Sequence, residues 1–386
     1  MSTRETLRLD LVSRVCTNQL DFKSVQRMLN VSERTLRRYI CAFRKRGVLF
    51  IKHGNCKRVP YNRISNDLKG RVQELVKTKY FDFNMLHTIE KLKECEGIEI
   101  KRETLRRWCH EIKMVKRKKR RQRKYVYRDR MQAEGMMLQM DGSHHRWFNN
   151  QESCLIAAID DATSDVPYAE FFLSEDTISC MRVLQKIVES KGLFQVLYVD
   201  RAGIFGGRKR HYFAQAKRAL AELGIQVIFA NTPQAKGRIE RLFGTLQDRI
   251  VPELRSRGIK SYPRANSYLQ NVFLPYVYQQ KFRVRPQSTV SAYKKPPTGL
   301  DLNEVFCLKE HRRVKADQRL SWNGVEYLVE HPEGISLYKQ YVELRTYQDL
   351  TWKALYANIP VKLTEIRKVV KIWEEPTEEQ DDRIAG

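Results

Sequence analysis

Between residues 136 and 250 the apolar residues switch repeatedly between a two-residue and a helical spacing, and that alternation restricts the fold of this chain more than any other feature. Residues 136–142 read as a short strand ending in an acid and a glycine, Asp141-Gly142. Residues 154–159 and 168–172 supply two more strands, expected as an antiparallel meander. Residues 177–190 carry Ile178, Met181, Leu184, Gln185 and Val188 at helical spacing. A buried-type strand over 194–200 follows and again ends in an acid, Asp200. A helix over 211–223 stops at Gly224, residues 225–230 form a fifth strand, and a helix runs on from Lys236.

The resulting order, βββαβαβα, is the ribonuclease-H-like arrangement. In an open α/β sheet, strand C-termini and helix N-termini meet along one edge. Asp141 closing the first strand, Asp200 closing the fourth and Glu240 early in the last helix can therefore converge. On that helix Ile239, Leu242, Phe243, Leu246 and Ile250 form the packing stripe, leaving Glu240, Gly244 and Gln247 on another face. Convergent carboxylates repel one another unless a cation neutralises them. Hard oxygen ligands suit magnesium or manganese, and a pair of such ions can drive in-line phosphoryl transfer. A single acid at a strand end says little, and Asp160, Asp161 and Asp165 read as turn and loop acids.

Charge narrows the partner. The 386 residues include 72 Lys and Arg against 45 Asp and Glu, a formal net charge of +27. So large an excess self-repels in a compact chain, and a polyanion relieves it. No run of eighteen apolar residues occurs and the N-terminus has no signal-peptide core, so a cytoplasmic protein without a membrane partner is expected. The eight cysteines are scattered without a C-x-x-C pair and read as reduced thiols rather than a zinc ribbon or disulfide framework. His144 and His145 lack a third nitrogen or sulfur ligand nearby in sequence, which favours DNA contact over a metal site of their own. Gly203, Gly206 and Gly207 are followed by no G-K-[ST], so they are not a phosphate-binding loop.

Around this core the chain reads as multidomain. Residues 1–60 and 61–114 each carry a Thr-Leu-Arg-Arg-aromatic segment, at residues 35–39 and 104–108. The first follows an apolar-stepped helix and a tight turn, which is the helix-turn-helix pattern. The two all-α modules would present Arg37, Arg38, Arg106 and Arg107 to DNA. Residues 115–134 form a basic linker whose Lys116, Arg117, Lys118, Lys119, Arg120 and Arg121 are too charged to bury. The α/β core spans 135–285, a linker 286–313, a small all-β domain 314–362 and an acidic tail 363–386. In the β-domain Trp322 and Trp352 are expected in the core or as stacking platforms. Lys236, Arg238 and Arg241 border Glu240 and are expected to face phosphate.

Four segments carry a resemblance to a known family. They are Leu-Gln-Met-Asp-Gly-Ser-His-His-Arg-Trp at 138–147, Ala-Ala-Ile-Asp-Asp-Ala-Thr at 157–163, Leu-Tyr-Val-Asp-Arg at 197–201 and Thr-Pro-Gln-Ala-Lys-Gly-Arg-Ile-Glu-Arg at 232–241. The chain resembles the DDE-type insertion-sequence transposases with a retroviral-integrase-like catalytic core, and most of all the bacterial ISNCY group. The likeness runs from the first helix-turn-helix to about Tyr293. It implies that Asp141, Asp200 and Glu240 bind the metal. It also implies cleavage at the ends of a mobile DNA element, transfer of a 3′-hydroxyl into target DNA, and a homodimer or larger assembly on that DNA in the bacterial nucleoid. Arg201-Ala202-Gly203 departs from the Asn-Gly that relatives often have after the second acid. A regulator on a catalytically dead integrase fold, or a nuclease of the same fold, is the alternative.

Overall fold

The computed structural model describes residues 3–52, 63–115, 129–148, 151–199, 210–230 and 236–366, which cluster into two contact units, 1–74 and 75–386. The first unit opens with α1 (Thr3–Cys16), α2 (Phe22–Leu29) and α3 (Glu33–Arg46). Asp21 accepts from Ser24 N to cap α2, and Ser32 accepts from Thr35 N to cap α3. Between them Asn30 takes the left-handed conformation, φ 52°, that lets α2 stop and the chain turn within a few residues. Leu11, Val12, Val25 and Leu36 close the small core, so the tight turn read at 30–32 is observed between two helices. Arg37 and Arg38 stand exposed on α3.

The helix α4 (Asn66–Thr78) crosses the unit boundary. In the second unit Asn84 caps α5 (Met85–Glu96), Gly97 ends it at φ +65°, and α6 (Arg102–Glu111) follows. Leu92, Leu105, Trp108 and Cys109 are buried, while Arg106 and Arg107 point outward. The basic stretch 116–121 lies outside the described residues.

The core follows the expected order. The strands are β1 (Met137–Phe148), β2 (Gln151–Asp160) and β3 (Tyr168–Phe172). After them come α7 (Thr177–Lys191), β4 (Val196–Val199), α8 (Arg210–Glu222), β5 (Gln226–Phe229) and α9 (Gly237–Ser256). The sheet order is β3-β2-β1-β4-β5, with β1, β2 and β3 antiparallel and β1, β4 and β5 parallel. Alternation along β1 divides the interior. Leu138 and Met140 join α7 and α8 on one face, while Trp147, Leu155 and Ala157 meet Ile239, Leu242, Phe243, Leu246 and Ile250 of α9 on the other.

One expectation is corrected. Asp141 does not close a short strand: β1 continues to Phe148, because its antiparallel register with β2 persists from Leu138↔Asp160 through His145↔Ser153. The parallel pairing of β1 with β4 spans only Met137↔Val196 to Gln139↔Tyr198. Asp141 therefore lies within β1, two residues past Gln139, the last residue paired with the described part of β4.

After α9 come α10 (Tyr262–Tyr268), a π-helical stretch (Leu269–Tyr278) and α11 (Gln279–Phe282), then α12 (Leu302–Val305). Six strands follow: β6 (Leu308–Arg313), β7 (Arg319–Trp322), β8 (Val325–Glu330), β9 (Tyr341–Thr346), β10 (Trp352–Tyr356) and β11 (Ile359–Glu365). They form one sheet in the order β6-β9-β10-β11-β8-β7. It begins at Leu308, inside the stretch read as linker, because the charged run of β6 pairs along all of β9. Trp322 is buried; Trp352 meets it edge-on at 5.1 Å and stays 40 % exposed. Glu304 on α12 accepts from Arg345, Tyr347 and Lys353 and so fastens this sheet to α12, whose Val305 is buried among the residues of α7 and α8.

Candidate active site

The start of α9 is attached to β1 by polar side chains buried between them. Ile239 N donates to Gln139 Oε1 at 3.4 Å, and Gln139 Nε2 donates to Asp161 Oδ1 at 2.8 Å. Arg238 donates to the same Asp161 oxygen at 2.6 Å, and Met131 N donates to Asp161 Oδ2 at 3.0 Å. Farther along, Gln247 Nε2 donates to Ser143 Oγ at 3.2 Å. Asp161 is fully buried, as Asp160 and Asp165 nearly are. Asp160 ends β2 while Asp161 and Asp165 lie in the turn and loop that follow, all three as buried anchors. Asp160 accepts from Gly135 N and from Thr163, and burial nevertheless raises its pKa. Asp161 accepts from one guanidinium and two further donors, which explains why the chain tolerates a buried carboxyl there.

Asp141 is half-exposed at the margin of β1, and Lys236 reaches it with Nζ at 2.9 Å from Oδ2. The lysine side chain is only 3 % exposed. Lys236 immediately precedes α9, and Glu240 stands one helical turn later, exposed on a face apart from the buried stripe. Asp141 and the N-terminal turn of α9 are thus brought to one edge of the sheet. Asp200 follows Val199 in sequence and lies outside the described residues, as do residues 232–235.

A further carboxylate stands here that the strand-and-acid pattern did not reveal. Glu175, just ahead of α7, lies so close over Gly142 that a Cβ there would run into its carboxylate. His144 Nε2 is 3.6 Å from it. Burial raises the Glu175 pKa, the nearby Asp141 charge raises it further, and His144 and Lys236 act in the opposite sense. His144, Cys154 and Glu175 place ligand atoms within 4.8 Å of one another, through the cross-strand pair His144↔Cys154. Burial pushes the Cys154 thiol up to about 12, so it is a poor thiolate donor. The available sequence signal was Glu175-Asp176 at the start of a helix on the same sheet edge. Asp176 alone serves as the cap, accepting from Ser179 N at 2.8 Å.

Of the basic residues expected at phosphate, Lys236 and Arg238 are turned inward onto Asp141 and Asp161, whereas Arg241 is exposed. Asp141 and Glu175 offer carboxylate oxygens, with the His144 imidazole beside Glu175, and carboxylate oxygens suit a hard divalent cation.

The chain matches no protein-family model. It is 31 % identical over 366 residues to the putative transposase y4bF of Sinorhizobium fredii, covering 92 % of this chain and 80 % of that protein. It is 26 % identical over 341 residues to the transposase for insertion sequence IS1202 of Streptococcus pneumoniae, covering 78 % and 72 %. Among solved structures it aligns with a simian T-cell lymphotropic virus intasome in complex with PP2A regulatory subunit B56 gamma. That match has 14 % identity, TM-score 0.35, and covers 77 % of this chain and 99 % of that one. The HTLV-2 integrase catalytic core domain in complex with magnesium aligns at 14 % identity and TM-score 0.29, over 36 % and 89 %. Among the described residues no helix is long and apolar enough to cross a membrane. The near-full-length identity to y4bF makes the chain a member of the insertion-sequence transposase family.

Proposed function

We propose that Asp141, Asp200 and Glu240 together hold magnesium or manganese, and that this transposase uses them to cut phosphodiester bonds at element ends and join them to target DNA. The observation that carries this reading is the ion pair that ties Asp141 in β1 to Lys236, immediately before α9 and one helical turn ahead of Glu240. Bound there, divalent ions activate the attacking oxygen and stabilise the leaving oxygen of an in-line displacement. The protein's own part is positional. Asp161, Gln139 and Arg238 fix the helix start, and hence the rise of chain on which Glu240 sits. Lys236 neutralises Asp141, which limits carboxylate repulsion. The direct test incubates purified protein with end-labelled element termini and magnesium and maps the nicks. Cuts at one phosphodiester at the element boundary are expected, and cutting without metal or without positional preference would refute the reading.

Arg37 and Arg38 on α3 and Arg106 and Arg107 on α6, all exposed, are assigned to element-end DNA, together with the basic stretch 116–121 and Arg241. Cutting two ends requires at least two copies on the DNA. Arg106 pairs with Glu103 only loosely, at 3.6 Å, and Arg107 is likewise exposed, so both can turn to phosphate. Replacing both with Ala is expected to weaken binding to element ends. The slope of log affinity against log salt should fall by about one per lost phosphate contact. Fluorescence anisotropy across a salt series reads this, and an unchanged slope with unchanged affinity would remove these arginines from the interface.

A further inference from the structure

The face of α9 that carries Glu240 continues to a basic cavity. Glu240, Gly244, Gln247, Val251 and Arg255 follow one another at spacings of four, three, four and four residues, one stripe of a helix. β1 keeps pace beside it. Ile239 N is bound to Gln139 and Gln247 to Ser143, so four residues of strand, about 13 Å, accompany eight of helix, about 12 Å. One more such step brings both elements to a cavity of about 390 Å³. It is lined by Arg146 and Phe148 of β1, Val251 and Arg255 of α9, and Ile259 and Lys260 beyond it. Strict alternation would turn Arg146 away from α9, but the register with β2 breaks between His145 and Phe148, and such a break re-aims side chains. Trp147 and Phe148, although consecutive, both pack in the α9 core for the same reason. Arg146 and Lys260 are exposed. Arg255 is held in place: Nε and Nη2 donate to Asp82 at 2.7 and 2.6 Å, and its guanidinium lies 4.4 Å from the Phe81 ring centre. A guanidinium fixed this way loses little freedom on gaining a further acceptor. Between the two ends of the stripe a Cβ on Gly244 would meet nothing within 4 Å, so the helix surface there is open.

We propose that this cavity seats a backbone phosphate of the duplex whose end is cut, holding the DNA along the seam of β1 and α9. This rests on the reading of Asp141 and Glu240 as the cutting site. From Asp141 to Arg146 the strand advances about 16 Å, and from Glu240 to Arg255 the helix advances about 22 Å. At about 3.4 Å per base pair, the seated phosphate lies about five or six base pairs from the scissile one. Asp82 takes the charge of Arg255, so Arg146 and Lys260 supply the attraction. Asp248, exposed between the two ends, repels phosphate, so the backbone is gripped at the ends of the seam and not along its middle.

The test is phosphate-ethylation interference on an element-end duplex, bound by the full chain without metal so that no strand is cut. The parent is expected to lose binding when the phosphate about five or six base pairs from the nick, mapped separately in magnesium, carries an ethyl group. In Arg146→Ala/Lys260→Ala that position should fall silent while the others persist. The slope of log affinity against log salt should fall by about two, with a loss of up to about 10-fold per contact near ~0.1 M salt. Arg255 is left in place because it also holds Asp82. Melting close to the parent separates the effect from misfolding, and Arg146→Lys, which keeps the charge, should keep the parental slope. An unchanged slope with an unchanged interference pattern would overturn the proposal. So would a silenced phosphate more than about ten base pairs, one helical turn, from the nick. Micromolar binding of inorganic pyrophosphate to the parent, lost in the double variant while the DNA contacts persist, would make the cavity a small-anion site and overturn it too. If the slope falls as expected but the parent nicks nothing in magnesium, the phosphate seat stands and the reading of Asp141 and Glu240 as the cutting site fails.

Discussion

A Glu240→Gln protein is expected to bind element ends like the parent and to cut and join them about three orders of magnitude more slowly. The change is isosteric and falls on an exposed side chain one turn into α9, so neither the buried stripe from Ile239 to Ile250 nor the Asp161 anchor is touched. What it removes is one formal charge from the group proposed to hold the metal. The several kcal/mol that a bound cation contributes to phosphoryl transfer correspond to about that factor in rate. Asp141→Asn should behave alike in catalysis and differ in one respect, because it also removes the Asp141 charge from beside Lys236. That ion pair involves a lysine only 3 % exposed, whereas Glu240 is exposed, so Asp141→Asn should melt lower than Glu240→Gln. Single-turnover cleavage of labelled ends and a melting scan measure both. Near-parental cutting by Glu240→Gln would show that the chemistry lies elsewhere.

The central sheet was legible because its information is local. The five-residue strand at 168–172 is bounded by turn residues, and the helix after it repeats Met181, Leu184 and Val188 at one spacing. The length of β1 was not legible, since Gly142-Ser143-His144-His145 looks like a turn until the partner register with β2 is known. The same limit hid the buried acids. Asp161 reads as an ordinary loop residue, and its value appears only when Arg238, 77 residues away, closes on it. Lys236 and Arg238, sitting in a basic motif, suggest phosphate contact by composition, while the fold turns both onto acids of the protein. Pairings of this kind follow no period, so the charge pattern of the chain indicates a nucleic-acid partner without saying which cations remain available to it. Glu175 belongs to the same class: its relation to Gly142 and Asp141 is created by the return of β3 into α7.

The largest stability effect is expected at Glu253, deep on the far end of the helix that carries Glu240. His87 Nε2 lies 2.9 Å and Lys91 Nζ 2.7 Å from its Oε1, while Arg257 Nε at 3.2 Å and Tyr268 OH at 3.1 Å donate to its Oε2. His87 and Glu253 are each 1 % exposed. Around them Arg249 and Lys281 both reach Glu90 at 2.7 Å, and Arg255 holds Asp82 at 2.6 Å, so α5 is pinned to α9 along several turns. Burial alone would raise the Glu253 pKa, but the hydrogen bonds from His87 and Lys91 outweigh it and hold it at about 2. A folded-state value below the unfolded one means the ionised carboxylate stabilises the fold above the ordinary glutamate range. That contribution should fade as pH falls from about 4.5 toward 2. Glu253→Ala takes the shared acceptor from a buried histidine and leaves a largely buried lysine with Glu94 alone, at 3.1 Å, a type of loss that costs about 3–5 kcal/mol. Because Arg257 is 46 % exposed and can turn to water, the lower end of that range is expected. Urea unfolding at pH 7 should reveal it, and the gap between parent and variant should narrow on acidification, since the parent loses the same interaction by protonation. Equal stability at pH 7, or a gap that widens toward pH 3, would mean that apolar packing rather than this buried charge cluster joins α5 to the catalytic helix.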